Sequence, residues 1–325
     1  MTGRQVLAGI LGALTAIFGN TLAAAQTYPD RPIQVIVPFA GGSASDVVTR
    51  IIFDRMAKSI GQPLIIDNRP GAGGNTGTAA GAKAAPDGYT LVASGSGPMA
   101  ANKTLYRDLG YDPETDFDHI SPFAYFTIVV AASTKLSVKT LAELIAYAKA
   151  NPGLNYGSVG IGTSQHLAGA YFEQVAGVQL THVPYRNIAQ YGPDMIAGTV
   201  PLGFQWLPNV NAPLKAGGAR ALAVAGKKRL EALPDVPTTA EAGLPQYEAS
   251  GWFALQAPRG TPKAIVAKLN HELAAAASDP VVRQKFLEVG AEPDVMSPED
   301  AKKFISAETA KWRDIITKAG IPQIQ

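Results

Sequence analysis

The chain has 325 residues, 46% hydrophobic and 17% charged, with 28 Lys and Arg against 26 Asp and Glu for a formal net charge of +2. So balanced a charge gives no bulk electrostatic case for nucleic acid or an anionic membrane surface as a partner. Cysteine is absent and the four histidines are not paired at metal-ligand spacing, so disulfides are excluded and neither a metal nor any other cofactor is expected.

The first residues carry one Arg and no acid, Val6 to Leu22 are almost wholly apolar, and Ala23-Ala24-Ala25 supplies the small-x-small pattern of a signal peptidase site. Residues 1–25 are read as a secretory signal peptide, cleaved after Ala25 to leave a soluble chain that begins at Gln26. A retained anchor fits less well, because the apolar run includes Asn20 and Thr21 and is only marginally long enough to span a bilayer. The remainder is long enough for two domains, each with its own core.

Ile33 to Val37 reads as a short buried strand that ends at Pro38. Small residues lead from Phe39 through Gly41, Gly42, Ser43 and Ala44 to a helix expected over Val47 to Ser59, with Ser45 or Asp46 as its cap. Free N–H groups at such a start converge on an anion site suited to a carboxylate or phosphate, and the glycines let a ligand approach the main chain. An ordinary strand-to-helix connection is the other reading of this segment taken alone. As a first-turn acid, Asp46 favours the helix dipole.

A strand over Leu64 to Asp67, a helix over Gly74 to Ala84 and a strand over Tyr89 to Ala93 follow. Ser94 and Ser96 are read as cleft donors or as a plain strand-end loop. Gly95-Ser96-Gly97-Pro98-Met99-Ala100 loosely fits a dinucleotide fingerprint, but Pro98 argues against the tight helix start that fingerprint needs. Next come strands at Thr127 to Ala131, Asn155 to Gly157, Val200 to Phe204 and Ala221 to Val224, with helices at Thr140 to Ala150 and Ser164 to Val175 among them. His166, two residues after Ser164, points away from it on a helix, and is read as packing or capping rather than catalysis. Asp194 is read as structural. Lys227-Lys228-Arg229 reads as a solvated edge.

Near Tyr247 the texture turns helical, with helices over Pro262 to Ser278, Pro280 to Val289 and Pro298 to Ala319, each opening on Pro. Alternating strands and helices predict α/β architecture with mainly parallel sheets. A final helical segment that returns to cover the first half divides the chain into lobe 1, residues 26–125 plus 250–325, and lobe 2, residues 126–249. Two crossing strands then form a hinge, with the ligand in the cleft.

Four blocks carry a family resemblance: Arg69-Pro70-Gly71-Ala72-Gly73-Gly74-Asn75-Thr76-Gly77; Ala85-Pro86-Asp87-Gly88-Tyr89-Thr90-Leu91; Asn155-Tyr156-Gly157 leading to Gly160-Ile161-Gly162-Thr163-Ser164-Gln165-His166-Leu167-Ala168-Gly169; and Leu233-Pro234-Asp235-Val236-Pro237-Thr238 with Glu241-Ala242-Gly243-Leu244-Pro245. In this order they resemble the substrate-binding proteins of tripartite tricarboxylate transporters, the Bug family. The similarity continues through Trp252-Phe253 and Ala257 to Pro262 to the helix around Lys311-Trp312. The resemblance implies a periplasmic, two-lobed "Venus flytrap" that binds a small carboxylate and delivers it to integral membrane permease subunits; a monomer is expected. It also implies that one ligand carboxylate lies against Phe39, Ser43, Ala44, Ser45 and Asp46 on one side and the Gly162-Thr163-Ser164 turn on the other.

Two departures from that family bear on the distal end of a ligand. Where relatives commonly carry Asp-Asn before Leu-Pro, this chain has Gln205-Trp206, and where they carry Lys-Gly after Val-Pro-Tyr it has Arg186-Asn187. Loss of the acid removes a repulsive charge, so Gln205, Arg186 or Asn187 is expected to meet a second carboxylate. Trp206 is either an apolar wall for an aromatic dicarboxylate such as a phthalate isomer, or a core residue. The same lobes would serve a periplasmic sensor feeding a signalling kinase. An enzyme acting on a carboxylic acid is the alternative of a different class, and turnover of the bound acid separates it from a carrier. There is no G-x-S-x-G elbow and no P-loop motif to support that alternative.

Overall fold

The computed structural model describes residues 28–318 and 321–324. The signal peptide, its cleavage site and Ala319 at the end of the last expected helix lie outside the described residues. In chain order the first elements are β1 (Ile33–Val37), α1 (Ala44–Ile60), β2 (Leu64–Asn68), α2 (Asn75–Ala82), β3 (Thr90–Gly95), α3 (Asn102–Leu105) and β4 (Phe117–Thr127). The middle of the chain forms β5 (Val129–Ser133), α4 (Leu141–Ala150), β6 (Leu154–Ser158), α5 (Ser164–Ala176), β7 (Leu180–Pro184), α6 (Tyr191–Ala197), β8 (Leu202–Gln205), α7 (Leu207–Lys215) and β9 (Ala219–Val224). The last part returns as β10 (Ser250–Pro258), α8 (Lys263–Ser278), α9 (Pro280–Glu288), β11 (Ala291–Glu292) and α10 (Pro298–Lys318).

Two sheets result, ordered β11-β4-β10-β3-β1-β2 and β7-β6-β8-β5-β9. Between the named strands, the parallel pairs are β1 with β2 and β3, and β6 with β7 and β8, which are joined by helical crossovers. The sheets are therefore mixed rather than mainly parallel. The reason lies in the crossing: β4 carries the chain out of the first sheet and β10 brings it back beside β4, so their pairing is antiparallel. At the crossing the Ile128 N–H donates to Ala249 C=O, the Ala225 N–H to Ile128 C=O and the Ala249 N–H to Ala225 C=O. The single strand expected over Thr127 to Ala131 is split there, between the end of β4 in one sheet and the start of β5 in the other.

The apolar core runs from Val35, Leu91, Ile52 and Phe123 in the first half to Tyr156, Phe172, Phe204 and Tyr247 in the second. The junction between the sheets is aromatic. Trp206 stacks on Phe126 with centroids 4.8 Å apart and meets Phe253 edge-on at 5.1 Å. Behind the first sheet, α8 packs on β4 and α1, and α10 covers β4, as the helical C-terminal texture suggests. This layering leaves the starts of α1 and α5 at the cleft between the halves.

Candidate functional site

The first turn of an α-helix has N–H groups without intrahelical acceptors, and its caps decide which of them stay available. In α1 the cap is Ser43, ahead of the expected Ser45 or Asp46, and its hydroxyl accepts from the Asp46 N–H at 3.5 Å. The Ala44 N–H donates to Asn209 Oδ1 at 3.0 Å, across to the other half. That leaves Ser45 as a first-turn donor outside these cap bonds. In α5 the cap is Thr163, which accepts from the His166 N–H and donates to Gly160 C=O at 2.7 Å. Ser164 and Gln165 are the first-turn donors there that the cap does not use.

Asp46 turns away from the cleft. It takes an ion pair from Arg50 at 2.9 Å, the Gly42 N–H at 2.9 Å and Asn68 Nδ2 at 3.0 Å. Burial alone would raise its pKa, but the hydrogen bonds from Arg50, Gly42 and Asn68 outweigh it and hold the carboxyl below its usual range. Its work is to fix the Gly41-Gly42 loop against the start of α1.

Behind the α5 turn lies a pair of imidazoles. His166 Nδ1 accepts from the Gly162 N–H at 3.2 Å, its ring lies 4.2 Å from that of His182, and His182 Nε2 is 2.6 Å from Ser158 Oγ. Burial pushes the His166 pKa down to about 4, and burial together with the neighbouring His166 pushes His182 down to about 3. Both rings are neutral at neutral pH, and the Gly162 bond requires this of His166, whose Nδ1 must accept. Ser158 is fully buried and its hydroxyl also bonds Gly160 C=O at 3.0 Å, so the pair shapes the loop beneath the cleft and does not present a nucleophile.

The two halves touch directly. Ser96 Oγ and Ser164 Oγ are 2.6 Å apart, and Tyr106 donates to Ile161 C=O at 3.1 Å. Gly73, at φ +62°, lies so close to the Ile161 carbonyl that any Cβ would collide with it. Around these contacts opens a cleft of about 510 Å³, lined by Phe39, Ser43, Gly71 to Gly74, Tyr106, Ile161, Tyr185 and Arg186 among others. Arg186 is exposed and has no ion pair among the described residues. A small inner pocket of about 10 Å³ adjoins the cleft through Phe39, Ser43 and Val159, and is completed by Ala44, Ser45, Gln165, Trp206, Asn209 and Phe253.

Of the residues expected at a site, Phe39, Ser43 and Arg186 line the cleft, and Ala44, Ser45 and Trp206 line the inner pocket. Gly162, Thr163, Ser164 and Ser96 form the contact between the halves. Ser94 does not reach the cleft, since its hydroxyl pairs with Thr78 at 2.8 Å in the buried strand. Gln205 is not free to meet a ligand: it is 0% exposed, its Nε2 donates to Gly157 C=O at 2.8 Å, and its Oε1 accepts from Asn209 at 2.9 Å. Trp206 is a core residue more than a broad wall, because it stacks on Phe126 and packs edge-to-face with Phe253. Gln165, Asn209 and Tyr106 were not singled out from the sequence. Gln165 lies in the family-resembling run that opens α5, but nothing in the sequence marks Asn209 or Tyr106.

Among the described residues no group of three or more His, Cys, Asp or Glu could hold a metal ion, and no helix is long and apolar enough to cross a membrane. The sequence profile of the "Tripartite tricarboxylate transporter family receptor" (TctC) matches residues 48–321. Protein BugT of Bordetella pertussis is 35% identical over 317 residues, covering 97% of each chain. Among solved structures, Rpa4515 of R. palustris with adipate is 38% identical, with a TM-score of 0.88 over 91% of this chain and 100% of that one. MatC (Rpa3494) of Rhodopseudomonas palustris, with bound malate, is 33% identical, with a TM-score of 0.81 over 89% of this chain and 100% of that one.

Proposed function

The chain belongs to the tripartite tricarboxylate transporter receptor family, and from that premise we propose that it captures a small di- or tricarboxylate between its halves in the periplasm and hands it to the membrane permease of such a transporter. The observation that carries this reading is the cleft itself, lined by the cap of α1 (Ser43), by Gly160 and Ile161 just ahead of α5, and by Arg186, which has no ion pair among the described residues. Unused N–H donors on Ser45, Ser164 and Gln165 suit one carboxylate, helped by the partial positive ends of α1 and α5. Arg186 suits a second carboxylate further out. A cleft of about 510 Å³ accommodates a linear diacid or an aromatic dicarboxylate such as a phthalate isomer. The adipate held by one similar protein and the malate held by another fall within this class.

The membership of the sheets supports dividing the chain into lobe 1, residues 26–125 plus 250–325, and lobe 2, residues 126–249. We further propose that secretion removes residues 1–25, so that the working protein begins at Gln26. Calorimetric titration of the periplasmic form with adipate, malate, citrate and terephthalate tests the reading. One or more should bind saturably at one site, and at about 100 times the dissociation constant should stabilise the fold by about 2.7 kcal/mol. No binding across the panel, or conversion of the acid on incubation, would overturn it.

A further inference from the structure

Tyr106 works at the cleft from an anchored position. It leaves α3 with extended backbone, at φ −101° and ψ 136°, and lines the cleft. Its hydroxyl donates across to the Ile161 carbonyl at 3.1 Å. That carbonyl stands two residues ahead of the Thr163 cap of α5, and Gly73 of the first half lies against it. Tyr106 is thus a side chain of the first half that holds the start of α5 in the second.

What fixes Tyr106 comes from far along the chain. A helix ends with carbonyls that have no intrahelical partner, and residues 321–324, beyond α10, supply partners for two of those in α3. The Ile324 N–H donates to Leu105 C=O at 2.7 Å, and Gln323 Nε2 donates to Thr104 C=O at 3.0 Å. The Arg107 N–H donates in turn to Ile324 C=O at 3.0 Å, so that Ile324 and Tyr106 form a parallel bridge. The backbone is therefore bonded on both sides of Tyr106. Ile321 and Ile324 also pack against the cluster of Ala101, Leu105, Ile316 and Leu167, the last of these on α5.

We infer that residues 321–324 are a positioning strap for the binding site. They lie outside the cleft and hold Tyr106 where its hydroxyl clasps the start of α5, so affinity depends on a segment remote from the ligand. The inference rests on the carboxylate-capture reading above. A ligand that bridges the halves draws on the clasp to the extent that the clasp is tighter in the bound form.

Calorimetric titration tests this with whichever of adipate, malate, citrate and terephthalate binds the wild type most tightly. The wild type is compared with Ile324→Pro, which deletes the N–H bonded to Leu105, with Tyr106→Phe and with the double variant. Each single variant should weaken the acid about threefold to tenfold, and the double variant should be no weaker than Tyr106→Phe alone. Unchanged affinity in either single variant overturns the inference. So do losses that multiply in the double variant, since the strap would then act on the fold and not through Tyr106.

Hydrogen exchange keeps the question open to test where Ile324→Pro does not fold. Coupling between sites is reciprocal, so in the wild type the bound acid should slow exchange of the Arg107 and Ile324 amides, and unchanged rates there overturn the strap. Failure of the wild type to bind any of the four acids strikes at the carboxylate reading instead. The strap is then judged on the ligand-free proteins, in which Ile324→Ala and Tyr106→Phe should both speed exchange of the Gly162 amide; no change in either variant, or a change in one alone, overturns it.

Discussion

Arg186 stands at the cleft with no carboxylate of the protein beside it among the described residues, so the charge is available to a ligand. Because it is exposed, its contribution is that of a screened ion pair, roughly 0.2 to 1 kcal/mol. Arg186→Gln should therefore weaken a dicarboxylate by about twofold to fivefold at low salt, with the loss shrinking at high salt and a monocarboxylate unaffected. Calorimetry at two ionic strengths measures this, and an equal loss for the monocarboxylate would show that Arg186 acts through the fold. Arg186 was legible as a site candidate because a cation replacing another cation after Val-Pro-Tyr stands out in the sequence. Gln205 looked equally available and is not. Whether a polar side chain at a strand end faces a cavity or is tied down depends on a residue one helical turn further on, Asn209, and on the Gly157 carbonyl of the adjacent strand.

The opening of α5 couples the loop at the cleft to acidity. His166 and His182 have pKa values of about 4 and about 3 in the folded protein, against 6.5 when unperturbed. Above pH 6.5 both states are neutral there and the stability is fully present. As pH falls below 6.5 the unfolded chain binds protons that the folded chain refuses, so stability declines across the window down to about 4 for His166 and about 3 for His182. At pH 4.5, two units below the unperturbed value, each imidazole should cost about 2 to 3 kcal/mol of stability. Urea unfolding at pH 7 and pH 4.5 should show it, with a shallower decline in His182→Asn; the same decline in both would place its origin elsewhere. The start of α5 was readable because turn chemistry and capping are local, whereas α1 begins three residues before the expected Val47, because three candidate caps, Ser43, Ser45 and Asp46, stand in one short run. The long strand β4 was not readable, since Phe117–Thr127 is buried on nearly every residue and is bulged against β10, which erases the alternation that marks a strand. β10, buried on both faces, hides for the same reason.

At the scale of the molecule, the halves are joined by the β4–β5 and β10 crossings and held together across the cleft by few polar contacts, chiefly Ser96 with Ser164 and Ala44 with Asn209. A ligand that bridges the starts of α1 and α5 adds to that short list, so small-angle scattering should give a smaller radius of gyration with saturating ligand than without. Identical curves would mean that the protein's own contacts keep the halves shut. The two-lobed plan was legible from the change of texture near Tyr247. The mixed character of the sheets was not, because strand direction follows from where the chain crosses between sheets, and that depends on contacts far apart in sequence.

The contact between Ala44 and Asn209 has a consequence for what the cleft will accept. With a tethered amide already seated on the Ala44 N–H, only the later first-turn donors of α1 are open to an incoming anion, so the grip at that end is narrow. A small inorganic ion, with one anchoring point and no reach to Arg186, is held by that grip alone. A longer acid holds at both ends. The threshold for entry is thus set by span as well as by charge.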